Sequence, residues 1–446
     1  MQHRISRLYL LAMPAFALGS ALGWSPQDKW TQRELERVTR VIERHVEELR
    51  GHSFKRPTEV RVADRKGFLS YVLQRDAEHR SKQQQITDQD LARHLGLIPA
   101  DMDLMETTLE LLEQQVGGFY DPSGDTFYLM ETFGGGVAKV ILAHELTHAL
   151  DDQLFDLDAP FRQRKGNSDA LLAYSCVVEG SGTNVMNRWT LGHRDEVSNE
   201  DLIAASSMGA DSLAKAPPYL WKPLMAAYLK GEAFLMVGYK QLKKERKRDE
   251  PRPSINQAID AAFAAPPLSM EQILHPEKYW SESERDDPST VHHSLEDFPA
   301  GWKLRSRDVL GELSLALFTQ PVHKRKGLDM SNPMALLTMK YTSAAVEGWD
   351  GDEVVLLENG NARVLHLATT WDTSADAKEF RDALRAIKPA LMTSQETLVG
   401  KGSQTGWIMP ESKDDRWCSL VVWAGCERAA IETLLEGPLR WQVEHK

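Results

Sequence analysis

Ten residues constrain this chain more than any others: Ile141-Leu142-Ala143-His144-Glu145-Leu146-Thr147-His148-Ala149-Leu150. A helix turns about 100° per residue, so two histidines four apart stand one above the other on one face and can hold a single ion. Glu145 lies one step round, where its carboxylate can reach a water on that ion without binding the ion itself. Gly134, Gly135 and Gly136 loosen the approach, and Val137, Val140, Ile141, Leu146 and Leu150 supply the apolar surface of a buried helix. A histidine pair inside such a helix needs polar partners, and a cation provides one. The pattern is an H-E-x-x-H zinc site, with His144 and His148 as ligands of Zn²⁺.

A catalytic zinc takes three protein ligands and leaves one position for water. The metzincin pattern would put glycine and histidine where Asp151 and Leu154 stand, so that class is excluded. Asp151 and Asp152, one turn beyond His148, suit acceptance of a histidine N–H better than ligation. The run from Ala170 to Thr183 is apolar apart from Glu179, and it ends in the small residues Gly180, Ser181, Gly182 and Thr183, which let another helix come close. An acid alone in such a run is costly unless it meets a cation, so Glu179 is the expected third ligand. His193, His275, His292 and His293 compete with it. Cys176, three residues before Glu179, reads either as a small core residue or as a neighbour of the metal.

At 446 residues the chain is long enough for two or three domains. A net charge of −12, with 53 basic and 65 acidic residues, argues against nucleic acid as a partner; the basic run Lys240 to Arg252 reads as a solvated helix end. Arg4 and Arg7 precede an apolar run from Leu8 to Leu22, and Ala21-Leu22-Gly23 offers small residues for cleavage, so residues 1–23 read as a signal peptide. Pro14, Gly19 and the short run argue against an uncleaved membrane anchor, and no stable membrane insertion is expected after removal. The expected location is secreted or periplasmic. Three cysteines make no disulfide framework: a strand from Trp417 to Trp423 separates Cys418 from Cys426.

The segment before the histidines reads as scaffold. Trp30 to Leu49 is an amphipathic helix with Thr31 and Glu34 as a capping box, Val60 and Val62 mark a strand, another helix begins at Phe68, and Asp101 caps a helix running to about Gln115. Gly117 to Leu129 then reads as a hairpin whose aromatic arms flank Pro122-Ser123-Gly124; it is either structural or an edge for an extended peptide. Near the C-terminus, strands at Val354–Leu357 and Val364–Ala368 precede a helix from Thr373 to Ile387. Strands at Trp407–Met409 and Leu420–Trp423 precede a helix from Glu427 to Leu435. This β-β-α order, given twice, defines a small α+β domain over 345–446.

His144-Glu145-Leu146-Thr147-His148-Ala149-Leu150 with Asp151, Asp152 and Gln153, followed by Val178-Glu179-Gly180, resembles the gluzincin class of zinc metallopeptidases, which joins two histidines to a distant glutamate. Ser269 to Tyr279 and Gly348-Trp349-Asp350-Gly351-Asp352 resemble segments of a little-described bacterial and archaeal group within it. The resemblance implies an α+β fold with a mainly helical zincin-like metallopeptidase domain over 24–320. It implies His144, His148 and Glu179 on Zn²⁺, Glu145 as general base, and a histidine or tyrosine across the cleft as oxyanion donor. His275, with Tyr279 one turn on, is the leading candidate for that donor, against a plain helix-ending role before Pro276; Tyr120 and Tyr239 are weaker ones. The class also leads one to expect an acid shortly after the ligand glutamate, where this chain has Ser181 and Thr183. The function expected is an exported zinc peptidase acting on peptides or proteins. The alternative is a non-proteolytic zinc-containing envelope protein whose C-terminal domain binds a partner.

Overall fold

The structure, a computed structural model, describes residues 29–79, 82–164, 166–198, 213, 215–320, 338–400 and 403–445, and the backbone of 12–14. Of the expected signal segment only Ala12–Pro14 falls within these; it runs as a strand, β1, beside Val116–Asp121, and the remainder lies outside the described residues. The fold is α+β with helices predominating. No helix among the described residues is long and apolar enough to cross a membrane.

The first layer is built as its residues dictate. Helix α1 (Gln32–Arg50) starts at the Thr31/Glu34 capping box and lays Leu35, Ile42 and Val46 inward. Strand β2 (Glu59–Ala63) and helices α2 (Arg65–His79), α3 (Lys82–His94) and α4 (Leu104–Gln115) follow. The cap of α4 is Asp103, not Asp101: its carboxylate accepts the Glu106 N–H at 2.9 Å, as a side chain three residues upstream must. The hairpin β3 (Val116–Asp121) and β4 (Thr126–Met130) pairs antiparallel, with Phe119 opposite Tyr128. The sheet order is β1-β3-β4-β2, with β2 parallel to β4. The β4 arm is covered by β2, and the β3 arm is covered only by β1, two residue pairs from within the expected signal segment.

Helix α5 (Gly135–Phe155) lies across this sheet and is buried almost throughout from Gly136 to Asp151. Gly117 and Gly118 permit the approach: a Cβ on either would meet the Ile141 side chain at 2.7 Å and 2.9 Å. A short helix α6 (Asp158–Gln163) leads to α7 (Ser168–Gly192), and α7 packs against α8 (Pro218–Glu245) more extensively than any other helix pair. Helices α9 (Ile255–Ala264), α10 (Met270–Leu274) and α11 (Glu277–Trp280) close that side.

The C-terminal part holds a five-stranded antiparallel sheet in the order β6-β7-β8-β10-β9, from strands β6 (Lys303–Asp308), β7 (Trp349–Asn359), β8 (Ala362–Trp371), β9 (Thr405–Ile408) and β10 (Trp417–Ala424). Helix α12 (Gly311–Thr319) links β6 to this region, and α13 (Ser374–Val399) and α14 (Arg428–Glu436) complete the β-β-α order given twice. Successive side chains of a strand point to opposite faces. Val354, Leu356, Leu365 and Leu420 accordingly join Phe380 and Leu384 of α13 in the large core, while Val355, Leu357, Val364 and Val421 meet Ile431 and Leu434 of α14. The large core also takes in Leu172 and Val177 of α7, so α7 and the sheet share one interior. Strand β5 (Thr290–His293) pairs with β11 (Trp441–Glu444), a contact between segments too short and too polar to read from sequence.

The Gly348–Asp352 segment acts as a staple. Asp352 accepts the N–H groups of Leu310 and Gly311 at 2.9 and 2.8 Å, capping α12, and the Trp349 indole at 2.9 Å. Asp350 accepts from the Ser289 hydroxyl at 2.9 Å. Buried nearby, the Glu353 carboxylate takes the Nδ1–H of His293 at 2.8 Å, which leaves the His293 Nε2 to accept from the Nδ1–H of His366 at 2.9 Å. Burial and the adjacent His293 hold His366 well below the ordinary imidazole value of 6.5. An imidazole depressed in the folded state contributes stability that is present above that value and lost as pH falls through it. We predict that His366→Asn, which keeps a donor but cannot titrate, loses less stability than wild type between pH 7.5 and 5.5. Thermal midpoints for both proteins across that range test this; a constant gap would refute it.

Candidate metal centre

Helices α5 and α7 cross so that three ligating atoms meet. The His144 Nε2 is 3.1 Å from the Glu179 Oε2, the His148 Nε2 is 3.5 Å from that oxygen, and the two imidazole nitrogens are 2.9 Å apart. All three side chains are buried. Tetrahedral zinc with ligands at about 2.0–2.1 Å requires ligand atoms about 3.3 Å from one another, and this triangle has that size. The donor set of two imidazoles and one carboxylate also suits zinc, so the residues present fit the ion. The triangle brings together the three residues read from sequence as ligands.

Three glycines make the crossing close. A Cβ on Gly182 would lie 2.8 Å from the His144 Cε1 and 2.9 Å from the His148 Cε1, so the bare backbone of α7 rests against both imidazoles. On the other side of α7, Gly180 faces the backbone of Gly231 in α8, and a Cβ there would meet the Gly231 carbonyl carbon at 2.5 Å. Gly231 in turn packs on the carbonyl of Cys176.

The electrostatics follow from burial against charge. Burial opposes ionisation of Glu179, yet His148 and His144 outweigh it and bring its carboxyl down to about 2. Burial and the neighbouring His148 lower His144. Burial pulls His148 down too, but Glu179, Glu145 and Asp151 outweigh it and leave that imidazole raised. The ring pair thus faces a firmly ionised carboxylate, the balance a divalent cation would exploit by displacing a proton.

Behind the histidines lies a buried network. Arg50, at the end of α1, donates to the Asp151 Oδ1 at 2.8 Å, and the Ser181 hydroxyl donates to the Asp151 Oδ2 at 2.6 Å. Arg50 also pairs with Asp260 at 2.7 Å. Asp152 accepts from the Tyr120 hydroxyl and from the Leu157 N–H, both at 2.9 Å. Neither aspartate accepts an imidazole N–H, contrary to the sequence reading; Asp151 instead ties α5 to α7 through Ser181. The residue standing where the resemblance leads one to expect an acid therefore meets an acid supplied by the histidine helix.

His275 is not brought to this centre. It ends α10, and its Nε2 sits 3.0 Å from the Glu312 Oε1, so its contacts are those of a helix-ending residue bound to α12. The other candidates are also engaged elsewhere. The Tyr279 hydroxyl bonds the Ala265 carbonyl, Tyr120 bonds Asp125 and Asp152, and Tyr239 lies under Lys243. His193 stacks on Trp189, His292 pairs with Glu444 and His293 with Glu353. The Cys176 sulfur contacts Met270 at 3.7 Å, the role of a core residue, and all three cysteines are free thiols.

The aromatic residue that does reach the centre is Tyr228 of α8. Its ring stacks on His144 with centroids 5.7 Å apart, and it lies beside the Glu179 carboxylate. Burial, then the Glu179 and Glu145 carboxylates, raise it well above the usual phenol value, so it remains a proton-bearing donor. In sequence Tyr228 sits within an apolar helical run and reads as one more core aromatic. Only its spacing from Gly231, which fixes how close α8 comes, could have singled it out.

Comparison with known proteins adds one match: residues 301–425 fit a family described as a domain of unknown function, DUF8575. No curated protein and no solved structure matches the chain. The matched segment covers the five-stranded sheet with α12 and α13, and the three clustered ligands lie outside it.

Gly182→Ala adds a methyl with no room beside either imidazole while raising intrinsic helix propensity by about 1 kcal/mol. The expected outcome is zinc affinity at least about tenfold weaker, a loss of the size that disturbed metal surroundings cause, with helical content retained. Chelator competition beside circular dichroism tests it, and unchanged affinity would show that Gly182 does not set the ligand geometry.

Proposed function

We propose that this protein is an exported zinc-dependent peptidase, and the single observation that carries the reading is the convergence of the His144, His148 and Glu179 ligand atoms from two helices. When bound, a zinc ion with three protein ligands supplies Lewis acidity toward water and a carbonyl oxygen. The rest falls to the chain's own side chains. Glu145, fully buried beside the ligands, is the general base that takes a proton from the attacking water and passes it to the leaving amine. Tyr228 donates its hydroxyl hydrogen to the substrate oxygen as negative charge develops there, the role His275 is too differently engaged to fill. Asp151, Arg50 and Ser181 hold the two ligand helices in register. The basic and apolar opening of the chain supports export.

Glu145→Gln is expected to keep its zinc and lose cleavage by about 10²- to 10⁴-fold. Metal content and casein or peptide-library cleavage, measured side by side with wild type, decide the matter. Equal cleavage removes Glu145 as base, and a zinc-loaded wild type that cleaves nothing favours the envelope-protein reading. Tyr228→Phe is expected to lower kcat by about 10²- to 10³-fold with a smaller change in KM, since the hydrogen bond is made chiefly to the developing charge. An unchanged kcat would exclude the tyrosine.

A further inference from the structure

Two stretches singled out in the sequence, Ser269 to Tyr279 and Gly348 to Asp352, have no part in the metal centre, yet they converge at the N-terminal end of helix α7. Asp169, in the first turn of α7, accepts the Met270 N–H of α10 at 3.0 Å, and its other oxygen, pressed against Gly311 of α12, is buried with no hydrogen-bond partner. Glu271 of α10 accepts from the Lys278 Nζ at 2.6 Å through one oxygen and buries the other unpartnered. Glu312 of α12 does the same: one oxygen meets the His275 Nε2 at 3.0 Å and the Thr342 hydroxyl, and the second has no partner. These three acids are 2%, 1% and 0% exposed. Their ion-pair partners among the described residues are Lys278 and His275, and Lys278 is shared with Asp286 and Asp372 at 2.8 Å each. Asp169 has no ion pair among the described residues; the charges that act on it are those of Asp352, Glu312 and Glu271, all acids.

We propose that this junction is held by protons: Asp169 and Glu271 pack in their neutral forms, and loss of those protons as pH rises loosens the C-terminal part from the end of the helix that carries Glu179. An ionised carboxylate cut off from water and facing other acids is relieved by taking up a proton. Burial, then the neighbouring acids, raise Asp169 well above the ordinary carboxylate range, and burial raises Glu271 to about 8 against the pull of Lys278. Burial likewise brings Asp352 to about 7 despite its three N–H donors, with Asp308 adding to the rise. In an unfolded chain such groups ionise near pH 4, so the stability that their protons supply is complete in acid and is lost as pH climbs through the folded values. His275 has the same sign. Its bond to Glu312 raises it, helped by the charges of Glu312, Glu271 and Glu277, so the stability from its own charge is present below 6.5 and fades above. A junction of this kind works the same way whether or not the chain cleaves peptides.

Asparagine and glutamine keep the shape of a protonated aspartate and glutamate without titrating. Thermal midpoints of full-length wild type, Asp169→Asn and Glu271→Gln are measured with stoichiometric zinc from pH 6.5 to 8.5, a range in which His366 stays neutral. Wild type is expected to lose midpoint steadily across it, each variant to lose at least about 2 °C less, and both to melt above wild type at pH 8.5. Either variant suffices, since the two acids belong to different helices. Hydrogen exchange over residues 268–274 and 309–314, corrected for the intrinsic rate at each pH, shows where the change lies. Protection there should fall with pH in wild type and hold in the variants, while strands β8 and β10 keep theirs. Variants that are less stable than wild type at every pH, or that follow its slope, overturn the proposal. Protection of the junction that is indifferent to pH overturns it as well.

Discussion

Two imidazoles and a carboxylate gathered within about 3.5 Å inside an apolar core stand against the usual exclusion of charge from interiors, and everything around them serves to keep them there. The means is backbone proximity. Because α7 carries glycine on two sides, at positions 180 and 182, it lies flat against α8 on one side and against the histidine rings on the other. Side chains at either position would push the helices apart by more than a ligand sphere tolerates. The dense packing of α7 and α8 then fixes Tyr228 over His144.

Helix positions so demanding need bracing from outside, and the remainder of the chain supplies it. Arg50 reaches from the first helix into the interior, where its charge offsets Asp151, and Asp151 binds Ser181 across the helix pair. Without the guanidinium, Asp151 would be a fully buried acid with one hydroxyl for company, a costly arrangement. The C-terminal sheet acts from the opposite end. Asp308 accepts the first N–H of α7, and Asp169 accepts the Met270 N–H that begins α10. Gln395 of α13 exchanges hydrogen bonds with His94, and Arg305 of β6 pairs with Asp90, so the C-terminal part also steadies α3. The matched family segment thus has a physical part in the site although it holds none of the ligands.

The sheet is also where alternation was most readable. Odd and even residues of β7, β8 and β10 go to opposite, equally apolar layers, so the β-β-α order could be recognised from short apolar runs even though the strands extend further than those runs. Asp103 and Asp101 show the opposite case: two equivalent acids two residues apart, of which only backbone direction selects the cap.

By itself the sequence singled out the three residues that cluster. Spacing of four on a helix puts His144 and His148 on one face, and a lone acid in an apolar run marks Glu179, because local periodicity and the cost of buried charge are both local properties. It determined the small residues after Glu179 as a place of close approach as well. Tertiary structure alone decided who stands opposite. Tyr228 rather than His275 beside the cluster, and Arg50 on Asp151, both depend on how helices distant in sequence are placed and turned. That rotation is set by summed packing over whole faces, which no short stretch of residues encodes.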